Sequence, residues 1–358
     1  MVGSIAPSPD FWSGRRVLLT GHSGFKGGWA ALWLQRLGAE VHGLALAPET
    51  DPSLWREVGQ GILASEHLCD VADAEAVQRV VVAARPQIVL HMAAQALVRR
   101  SYADPLGTVA TNVTGTANLL DALRHVDGIE AALIVTTDKV YANAGMTRNF
   151  VEDDRLGGHD PYSASKAAAE LITQSFAASF LAPLGVKVAT ARAGNVVGGG
   201  DWSRDRLVPE VWRAARDGVP LTLRSPDATR PWQHVLEPLA GYFRYLERLA
   251  GGDDLPGALN FGPLPGTPLT VAQVAEAMAD ALGVERGWRQ DEGEHPPEMQ
   301  WLSIDPSQAR VSLGWTPMLD SGATIEWTAR WYDQHRCGTP SKELCLQQIH
   351  DYENLLTS

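Results

Sequence analysis

The feature that most constrains the fold of this chain is a regular alternation of short apolar runs and longer amphipathic stretches. The apolar runs have the length and composition of strands, at residues 16–20, 41–46, 87–91, 131–135 and 186–191. Between them lie stretches with helical periodicity, at residues 29–37, 73–84, 106–124 and 163–180. Strands that are apolar on both faces are typical of a parallel sheet covered by helices on both sides. The sequence therefore predicts an α/β fold with a doubly wound parallel sheet.

The second part of the chain has a different composition. Beyond residue 192 proline and glycine become frequent, and eight of the twelve tryptophans lie beyond position 200. These tryptophans fit either the wall of a ligand cleft or an ordinary hydrophobic core. We expect a first domain of residues 1–193, which residues 235–262 also join, and a smaller α/β substrate domain of residues 194–358.

Composition excludes several classes of function. The 358 residues carry a formal net charge of −12, so the chain lacks the basic surface of a general nucleic-acid binder. A local basic pocket for a phosphorylated ligand is compatible with that charge. The three cysteines have no CxxC spacing and the ten histidines no paired ligand spacing, so neither a disulfide framework nor a metal site is expected.

The sequence also predicts a compartment. Residues 1–10 lack the basic start and the apolar run of a signal peptide. No apolar stretch reaches the roughly 18 residues that a membrane span needs. We therefore expect a cytoplasmic protein with no membrane partner.

A glycine-rich loop follows the first predicted strand directly. Its glycines have the spacing G-x-x-G-x-x-G, and the first predicted helix opens behind them. Glycines let the backbone turn tightly and approach a pyrophosphate, whose charge is met by the helix N-terminus. Between a strand and a helix, this loop predicts a Rossmann-type dinucleotide site. Its expected members are Gly21, Ser23, Gly24, Phe25, Lys26 and Gly27.

Two later segments are further candidates for contacts with the dinucleotide. Asp70 and Val71 follow a strand-like segment, where the carboxylate can hold the adenine amino group. Ala93 and Ala94 follow the third of the strands above, and they are small enough for a cofactor to pass over the edge of the sheet.

The residue that usually binds the adenosine ribose is not evident. An acid is typical at the end of the second strand, but residues 43–46 read Gly-Leu-Ala-Leu. The nearest acids are Glu49 and Asp51. No arginine stands there to hold a 2′-phosphate, so the sequence favours NAD over NADP.

Two clusters of proton-handling side chains are the candidate catalytic residues. The first, Thr136-Thr137-Asp138-Lys139, follows the apolar run 131–135 and should lie at the carboxyl end of a buried strand. The second is Tyr162 and Lys166, whose i, i+4 spacing places them on one face of a helix. A nearby ammonium favours phenolate, so Lys166 is expected to lower the pKa of Tyr162. The pair suits removal of a hydroxyl proton as hydride leaves carbon; the alternative is a surface pair with this spacing by chance.

Eight sequence blocks occur in an order that is hard to obtain by chance. They are residues 21–27 (GHSGFKG), 91–95 (HMAAQ), 97–102 (LVRRSY), 111–113 (TNV), 136–139 (TTDK), 156–162 (LGGHDPY), 192–202 (RAGNVVGGGDW) and 229–234 (TRPWQH). Together they resemble the extended short-chain dehydrogenase/reductase family, and within it the nucleotide-sugar 4,6-dehydratases. The resemblance extends from Phe11 to Trp331.

The resemblance implies NAD-dependent dehydration of a nucleotide-activated hexose. Tyr162, helped by Lys166, would take the proton from O4′ while C4′ loses hydride, and Thr137 would fix the position of O4′. Asp138 would protonate the leaving 6′-hydroxyl, and hydride would return to C6′. Lys139 would remove the C5′ proton, or it would only position the sugar while another side chain or water acts as the base.

The resemblance also implies further binding residues. Asn112 and Thr136 join the cofactor site. Arginines suit a diphosphate because their guanidinium binds it through two hydrogen bonds. The implied substrate-binding residues are Gln95, Arg99, Arg192, Asn195, Arg206, Arg224 and Arg230.

One residue points to the nucleotide. Dehydratases that act on dTDP- or GDP-sugars usually carry Glu after the catalytic Asp, whereas Lys139 resembles the branch that acts on CDP-sugars. The implied substrate is therefore CDP-glucose. Residues 145–152 lack the tryptophans and the Arg-Glu pair of that branch, and Val140 stands where Cys is common. These differences leave a different sugar or nucleotide open.

Oligomeric state and function each leave alternatives. By resemblance, helices at 106–124 and 163–180 would form the interface of a homodimer or homotetramer, although their apolar faces fit packing on their own sheet equally well. A nucleotide-sugar 4-epimerase would share the glycine loop and Tyr162 but would not need the acid Asp138. A non-catalytic dinucleotide sensor or a structural partner protein would not need Tyr162 and Lys166.

Overall fold

The computed structural model describes residues 6–142, 148–263, 269–283, 287–293 and 302–357. Its strands are β1 (Arg16–Thr20), β2 (Glu40–Ala45), β3 (Ser65–Leu68), β4 (Ile88–His91), β5 (Ala131–Val135), β6 (Lys187–Ala193), β7 (Val196–Val197), β8 (Leu221–Leu223), β9 (Gln233–His234), β10 (Ala258–Phe261) and β11 (Trp288–Gln290). Its α-helices are α1 (Pro9–Trp12), α2 (Phe25–Arg36), α3 (Leu54–Val58), α4 (Ala74–Ala84), α5 (Val98–Ala103), α6 (Pro105–Val109), α7 (Gly115–Leu123), α8 (Pro161–Phe176), α9 (Leu207–Asp217), α10 (Leu236–Ala250), α11 (Val271–Ala281), α12 (Ser307–Leu313), α13 (Ser321–Arg336) and α14 (Ser341–Thr357).

Seven strands form one parallel sheet in the order β10-β6-β5-β4-β1-β2-β3. From β1 the chain first builds outward through β2 and β3, then returns to the other side of β1 for β4. A cleft opens at such a reversal, at the carboxyl ends of β1 and β4. All five strands predicted in the first part of the chain belong to this sheet, so the predicted Rossmann-type doubly wound α/β fold is confirmed.

Both faces of the sheet are covered, as apolar strands require. Val17 and Leu19 of β1 point into a core that they share with α2 and α10. Leu18 points the other way, into a core with α4 and α7. The two cores follow from the period of two along each strand.

The helix boundaries follow from capping residues and turn types. Asp160 accepts a hydrogen bond from the Ser163 amide, 2.9 Å away, and so begins α8 at Pro161. The helix predicted at 106–124 is α6 and α7 joined by a π-helical turn. Helices α12 and α14 were not predicted. Helix α12 is short and buries only Ala309 and Leu313, whereas the buried residues of α14 do follow a helical spacing.

Residues beyond β6 divide between the large sheet and a second region. Strand β10 pairs with β6, and α10 packs against β5 and β6. Residues 236–261 therefore belong to the seven-stranded sheet and its covering helices. The remaining elements add two small parallel sheets, β7–β9 and β8–β11, and a largely helical C-terminal region. The division of the chain at residue 193 stays a prediction. In the described ranges, no helix combines the length and the hydropathy of a membrane span.

An aromatic cluster holds the second region together. It consists of Trp202, Trp212, Trp331, Tyr332 and His335. The Trp202 and Trp212 rings lie 4.8 Å apart between centroids, and Trp331 stacks on His335 at 5.0 Å. These tryptophans are thus mainly core residues.

A buried carboxyl joins α10 to the C-terminal helix. Glu237 on α10 has no exposed surface. Its Oε1 accepts hydrogen bonds from the amides of Met318 and Leu319, and its Oε2 from the hydroxyl of Tyr352 on α14, at 2.9, 2.6 and 2.6 Å. Burial outweighs these hydrogen bonds and raises the pKa of Glu237 to about 7.

Glu237 should make the stability of the protein depend on pH. Its folded-state pKa lies above the ordinary value of 4.5, so the folded protein binds more protons than the unfolded chain in this window. The free energy of unfolding therefore falls as pH rises from about 4.5 through about 7. Glu237→Gln keeps the acceptor for both amides but removes the titration. As pH rises from about 4.5 to about 7, the free energy of unfolding of Glu237→Gln should therefore increase by about 3 kcal/mol relative to that of the wild type.

Urea unfolding of both proteins near pH 4.5 and near pH 8 tests this expectation. Glu343→Gln, at an exposed carboxyl on α14, is the control and should follow the wild type. A stability difference between Glu237→Gln and the wild type that is the same at both pH values would contradict it.

Candidate active site

A cavity of about 860 Å³ lies at the carboxyl ends of the central strands, between the sheet and the second region. Most of the predicted site residues line it. The cofactor candidates that do so are Gly21, Ser23, Gly24, Phe25, Lys26, Gly27, Asp70, Val71, Ala93, Ala94 and Thr136. The catalytic and substrate candidates that do so are Thr137, Lys139, Tyr162, Lys166, Gln95, Arg99, Asn195, Arg206, Arg224 and Arg230. Asn112, Asp138 and Arg192 are not among the lining residues.

The glycine loop is shaped for close approach of a ligand. Gly21 has a φ of +77°, and a Cβ there would lie 2.7 Å from the amide nitrogen of Ala93. A Cβ on Gly27 would lie 2.0 Å from the carbonyl oxygen of Gly21. Gly24 begins α2 without a side-chain cap, and Phe25, Lys26 and Gly27 of its first turn line the cavity. The first amides of a helix have no partner within the helix. Such a cradle of amides fits the diphosphate of a dinucleotide.

Strand β5 delivers the first catalytic cluster. Directly after Val135 the chain passes through Thr136 and Thr137 into a 3₁₀ turn at Asp138–Val140. Helix α8 delivers the second cluster, with Tyr162 in its first turn and Lys166 one turn later. The Lys166 ammonium donates a 2.9 Å hydrogen bond to the carbonyl of Val135, which ties this helix face to the end of β5.

Burial controls the protonation of this face. It raises the pKa of Tyr162 to about 12, although a hydrogen bond with Thr137 acts in the opposite direction. The predicted lowering of the pKa of this phenol by Lys166 is therefore wrong for the protein without ligands, because burial raises that pKa. Burial also lowers the pKa of Lys166 to about 8, against the attraction of Glu170. A smaller charge on Lys166 weakens its effect on Tyr162.

A second lysine lies under the glycine loop. The Lys26 ammonium is 5.7 Å from the centroid of the Tyr242 ring. Burial, followed by the charges of Arg206 and Lys166, lowers the pKa of Lys26 to about 7. Near pH 7 Lys26 is therefore charged in only part of the molecules, whereas Lys166 remains mostly protonated.

Asp138 is buried behind the cavity wall with no exposed surface. Its Oδ1 accepts hydrogen bonds from the Thr137 hydroxyl at 3.0 Å and from the Lys139 ammonium at 3.1 Å. Its buried Oδ2 has no partner among the described residues. A Cβ on Gly194 would lie 3.2 Å from this oxygen, and Gly194 lines the cavity. A buried carboxylate oxygen without a partner needs an explanation such as catalysis or a bound water.

Arg192 lies beneath the site instead of in it. It is 1% exposed, and its Nε and Nη2 donate to Glu170 at 3.0 and 2.9 Å. Glu170 also accepts hydrogen bonds from Thr136 at 2.5 Å and Thr190 at 2.7 Å. Because this guanidinium is committed to Glu170, its position does not fit the predicted contact with a substrate diphosphate.

Asn112 also has a supporting position. Its Oδ1 accepts a 2.9 Å hydrogen bond from the backbone N–H of Gln95. Its Nδ2 donates to the backbone carbonyl of Gln95 at 3.0 Å and to the Ser165 hydroxyl at 2.9 Å. A direct contact with a cofactor does not fit this position outside the cavity. Asn112 instead holds the backbone of Gln95, which lines the cavity.

Three of the four predicted substrate arginines that line the cavity are paired with internal carboxylates. One oxygen of Asp205 accepts from both Arg99 and Arg224, at 3.0 and 3.1 Å. Arg206 pairs with Asp201 at 3.4 Å. The fourth, Arg230, donates to the carbonyl of its neighbour Thr229 at 2.8 Å.

Sequence reasoning missed Glu170, Asp205 and the pairing of Glu49 with Arg100. Glu170 continues the spacing of Tyr162 and Lys166 by one helical turn, so the same periodicity could have identified it. Asp205 and the pair of Glu49 with Arg100 depend on contacts between distant segments, and no local pattern marks them.

Two predictions concern other parts of the chain. Among the described residues, no group of three or more His, Cys, Asp or Glu side chains could hold a metal ion. Residues 145–147 of the divergent loop lie outside the described residues, and the role of this loop in substrate choice stays a prediction.

Comparisons of sequence agree with this geometry. Residues 17–262 match the model of a family described as the NAD-dependent epimerase/dehydratase family. A CDP-glucose 4,6-dehydratase of Salmonella typhimurium is 40% identical over 354 residues, which are 97% of this chain and 99% of the relative. A dTDP-glucose 4,6-dehydratase of Streptomyces griseus is 29% identical over 269 residues, 75% of this chain and 77% of the relative.

Solved structures share the fold. A dTDP-glucose 4,6-dehydratase of Streptomyces venezuelae, solved with NAD bound, has a TM-score of 0.76 and 26% identity, with 90% of this chain and 98% of that chain covered. A UDP-glucose 4-epimerase of Thermus thermophilus in complex with NAD has a TM-score of 0.77 and 27% identity, with 90% and 100% covered.

The contribution of the buried Glu170–Arg192 ion pair to the stability of the protein can be tested. Removing one partner of a buried ion pair leaves an uncompensated charge, so Arg192→Leu should lower the free energy of unfolding by about 3–5 kcal/mol. The double variant Arg192→Leu with Glu170→Leu should recover a large part of that loss. The measurement is denaturant unfolding at neutral pH.

The control is Arg148→Leu, which breaks the half-exposed pair with Asp154. Its cost should be much smaller than that of Arg192→Leu, because water screens an exposed guanidinium. If Arg192→Leu lowered the free energy of unfolding no more than this control, the Glu170–Arg192 pair would not be needed for the stability of the fold.

Proposed function

The chain belongs to the NAD-dependent epimerase/dehydratase family, and from this membership we propose that it dehydrates CDP-glucose to CDP-4-dehydro-6-deoxyglucose. The observation that carries the proposal is that Asp138 and Lys139 lie beside Thr137, Tyr162 and Lys166. All of them except Asp138 line the cavity, and Asp138 lies directly behind its wall. The first group serves elimination and the second serves oxidation. Similarity to the Salmonella typhimurium dehydratase over nearly the whole chain supports the choice of CDP-glucose.

NAD is the cofactor, and it supplies the hydride acceptor for oxidation of C4′ and returns the same hydride to C6′. Gly21, Gly24 and Gly27, with the first amides of α2, would hold its diphosphate. Asp70 and Val71 would hold the adenine side. Ser23, Phe25, Lys26, Ala93, Ala94 and Thr136 complete the proposed cofactor wall.

In the oxidation, Tyr162 would accept the proton of the O4′ hydroxyl while C4′ loses hydride. Thr137, which lines the cavity together with Tyr162, would fix O4′ beside the phenol. Burial keeps this phenol protonated at neutral pH in the protein alone, so proton removal must be coupled to the arrival of positive charge next to it. Lys166, held on Val135, is the residue of the chain that would supply part of that charge.

In the elimination, the 4′-ketone acidifies the hydrogen on C5′. Lys139 in its neutral form would take this proton, and Asp138 in its protonated form would give a proton to the leaving 6′-hydroxyl. The C5′–H and C6′–O bonds break, the C5′–C6′ double bond forms, and water leaves. As hydride returns to C6′, C5′ would take a proton back from Lys139, which lies 3.1 Å from Asp138. The proton that Tyr162 took from O4′ would return through solvent to Asp138 for the next turnover.

The substrate diphosphate would bind to arginines of the second region and of α5. Arg99, Arg206, Arg224 and Arg230 line the cavity, and their charges suit a diphosphate. Gln95 and Asn195 would orient the sugar as neutral amides. Arg192 is left out of this set because of its buried pair with Glu170.

The proposal includes assembly and location. Exposed apolar side chains on α6 and α8, Leu106 (81% exposed) and Leu171 (55%) among them, support a homodimer or homotetramer built on these helices. The three free cysteines support a reducing compartment, the cytoplasm. The reaction class supports a role in the biosynthesis of deoxysugars.

The substrate prediction is tested by incubating the protein and NAD with CDP-glucose, and separately with dTDP-, GDP- and UDP-sugars. Mass spectrometry should show loss of one water from CDP-glucose. Water loss from another sugar alone would keep the mechanism and overturn the nucleotide. Formation of a C4′ epimer without water loss would favour a 4-epimerase and overturn the acid role of Asp138.

The roles of acid and base are separated by two variants. Asp138→Asn should lower water loss by about 10²–10⁴-fold. Lys139→Met should stop exchange of the C5′ hydrogen with solvent while the reduction of bound NAD by CDP-glucose continues. Lys187→Met, at an exposed lysine at the opposite end of β6, is the control and should retain full activity. Continued C5′ exchange in Lys139→Met would assign the base to another group.

Assembly is tested by light scattering after size-exclusion chromatography. The wild type should have two or four times the mass of the chain. Leu106→Glu with Leu171→Glu should yield the monomer, because charges on an apolar interface lose their solvation. Val311→Glu, on α12 and 87% exposed, should leave the assembly unchanged. A wild type that is already monomeric would contradict the proposal.

A further inference from the structure

The end of β2 lacks the acid that usually binds the adenosine ribose of a dinucleotide. The strand ends at Ala45, and Leu46, Ala47 and Pro48 follow it. The carbonyl of Leu46 accepts a 2.7 Å hydrogen bond from the Ser23 hydroxyl, so this segment lies against the glycine loop. Glu49 is the first acid beyond β2, and it lines the cavity.

Glu49 is paired with an arginine from across the cleft. Nη1 of Arg100 lies 2.8 Å from Oε1 and 2.7 Å from Oε2 of Glu49. Arg100 belongs to α5, which follows β4, whereas Glu49 follows β2. Strand β1 lies between β2 and β4 in the sheet, and the glycine loop follows β1. The ion pair therefore spans the cleft beside the glycine loop, and both side chains line the cavity.

We infer that Glu49 and Arg100 together determine which dinucleotide this chain binds. Glu49 accepts the hydrogen bond of the ribose 2′-hydroxyl in place of the missing acid. It also occupies Arg100, a residue type that otherwise suits a 2′-phosphate. The inference rests on the NAD-dependent function proposed above, and it adds the residues that make the protein select NAD over NADP.

The charge of Glu49 sets the size of the expected change in NADP affinity. A 2′-phosphate carries nearly two negative charges, and Glu49 adds a third within a few ångströms. The pair is about half exposed, with 57% of the Glu49 and 46% of the Arg100 side chain accessible, so water screens the repulsion. A charge pair at such distances in high dielectric is worth about 1–2 kcal/mol, which corresponds to roughly tenfold in a dissociation constant.

The pair also explains why an arginine in this position does not bring NADP selectivity. Hydrogen bonding and attraction by Glu49 raise the pKa of Arg100, so each charge stabilises the other. A 2′-phosphate would have to replace Glu49 as the partner of this guanidinium. A 2′-hydroxyl, which is neutral and donates a hydrogen bond, can bind Glu49 without breaking the ion pair.

The test is the dissociation constant of NAD and of NADP, measured by calorimetry without any sugar. The wild type should bind NAD more tightly. Glu49→Gln should bind NADP about tenfold more tightly than the wild type and NAD a few times more weakly. The double variant Glu49→Gln with Arg100→Gln should lose the gain for NADP, because the guanidinium that would hold the phosphate is gone.

A control variant at the other end of β2 completes the test. Glu40→Gln, at the opposite end of β2, removes an exposed carboxylate away from the cavity and should leave both constants unchanged. If the wild type binds NAD but the NAD-to-NADP ratio is the same in Glu49→Gln, this inference fails and the proposed function stands. If the gain for NADP persists in the double variant, Arg100 has no part in it and the inference is overturned. If the wild type binds neither dinucleotide, both fail.

Discussion

The buried carboxylate of Glu170 is the interaction on which the arrangement of the site depends. It connects three elements, because it accepts hydrogen bonds from Thr136 after β5, from Thr190 and Arg192 in β6, and stands itself on α8. Tyr162, Lys166 and Glu170 follow one another at four-residue intervals. A rotation or a one-turn slide of α8 would therefore separate Glu170 from its partners and carry Tyr162 away from Thr137. Buried ion pairs add little net stability, but their geometry is demanding, and here it sets the register of the helix.

The two halves of the chain meet at the cavity through ions of opposite sign. Asp205 holds Arg99 of α5 and Arg224 of the second region with a single oxygen, and its backbone has a φ of +61°, in the left-handed region that Asp tolerates better than most residues. A ligand diphosphate at these arginines would exchange one anion for another. The local cations are thus compatible with the net charge of −12, since internal carboxylates balance them.

Local geometry explains which parts of the site were predictable. The pairing of Tyr162 with Lys166 and the turn at Gly21 follow from spacing within one helix and one loop, so the sequence was sufficient. The protonation of Tyr162 was not predictable, because burial by many distant atoms outweighs any single neighbour. Arg192 was misassigned although its position could have been derived. It lies two residues after Thr190 on a buried strand, so both side chains face α8 and neither faces the cleft. The C-terminal helix α14 could have been predicted, because Cys345, Ile349, Tyr352 and Leu356 follow a helical spacing. Its contact with Glu237 depends on packing that no local pattern encodes.

The aromatic cluster has a consequence for how the protein can be observed. Trp202 belongs to that cluster and also lines the cavity, where its ring meets Trp212 and Tyr332. Gly199, whose missing side chain lets Trp331 approach the backbone, fixes this wall against the C-terminal helices. An indole held rigidly in the wall of a ligand cavity is a built-in fluorophore. Its emission depends on the polarity and the quenching groups of a ligand in the cavity. Binding of a ligand should therefore change the intrinsic fluorescence of the unlabelled protein.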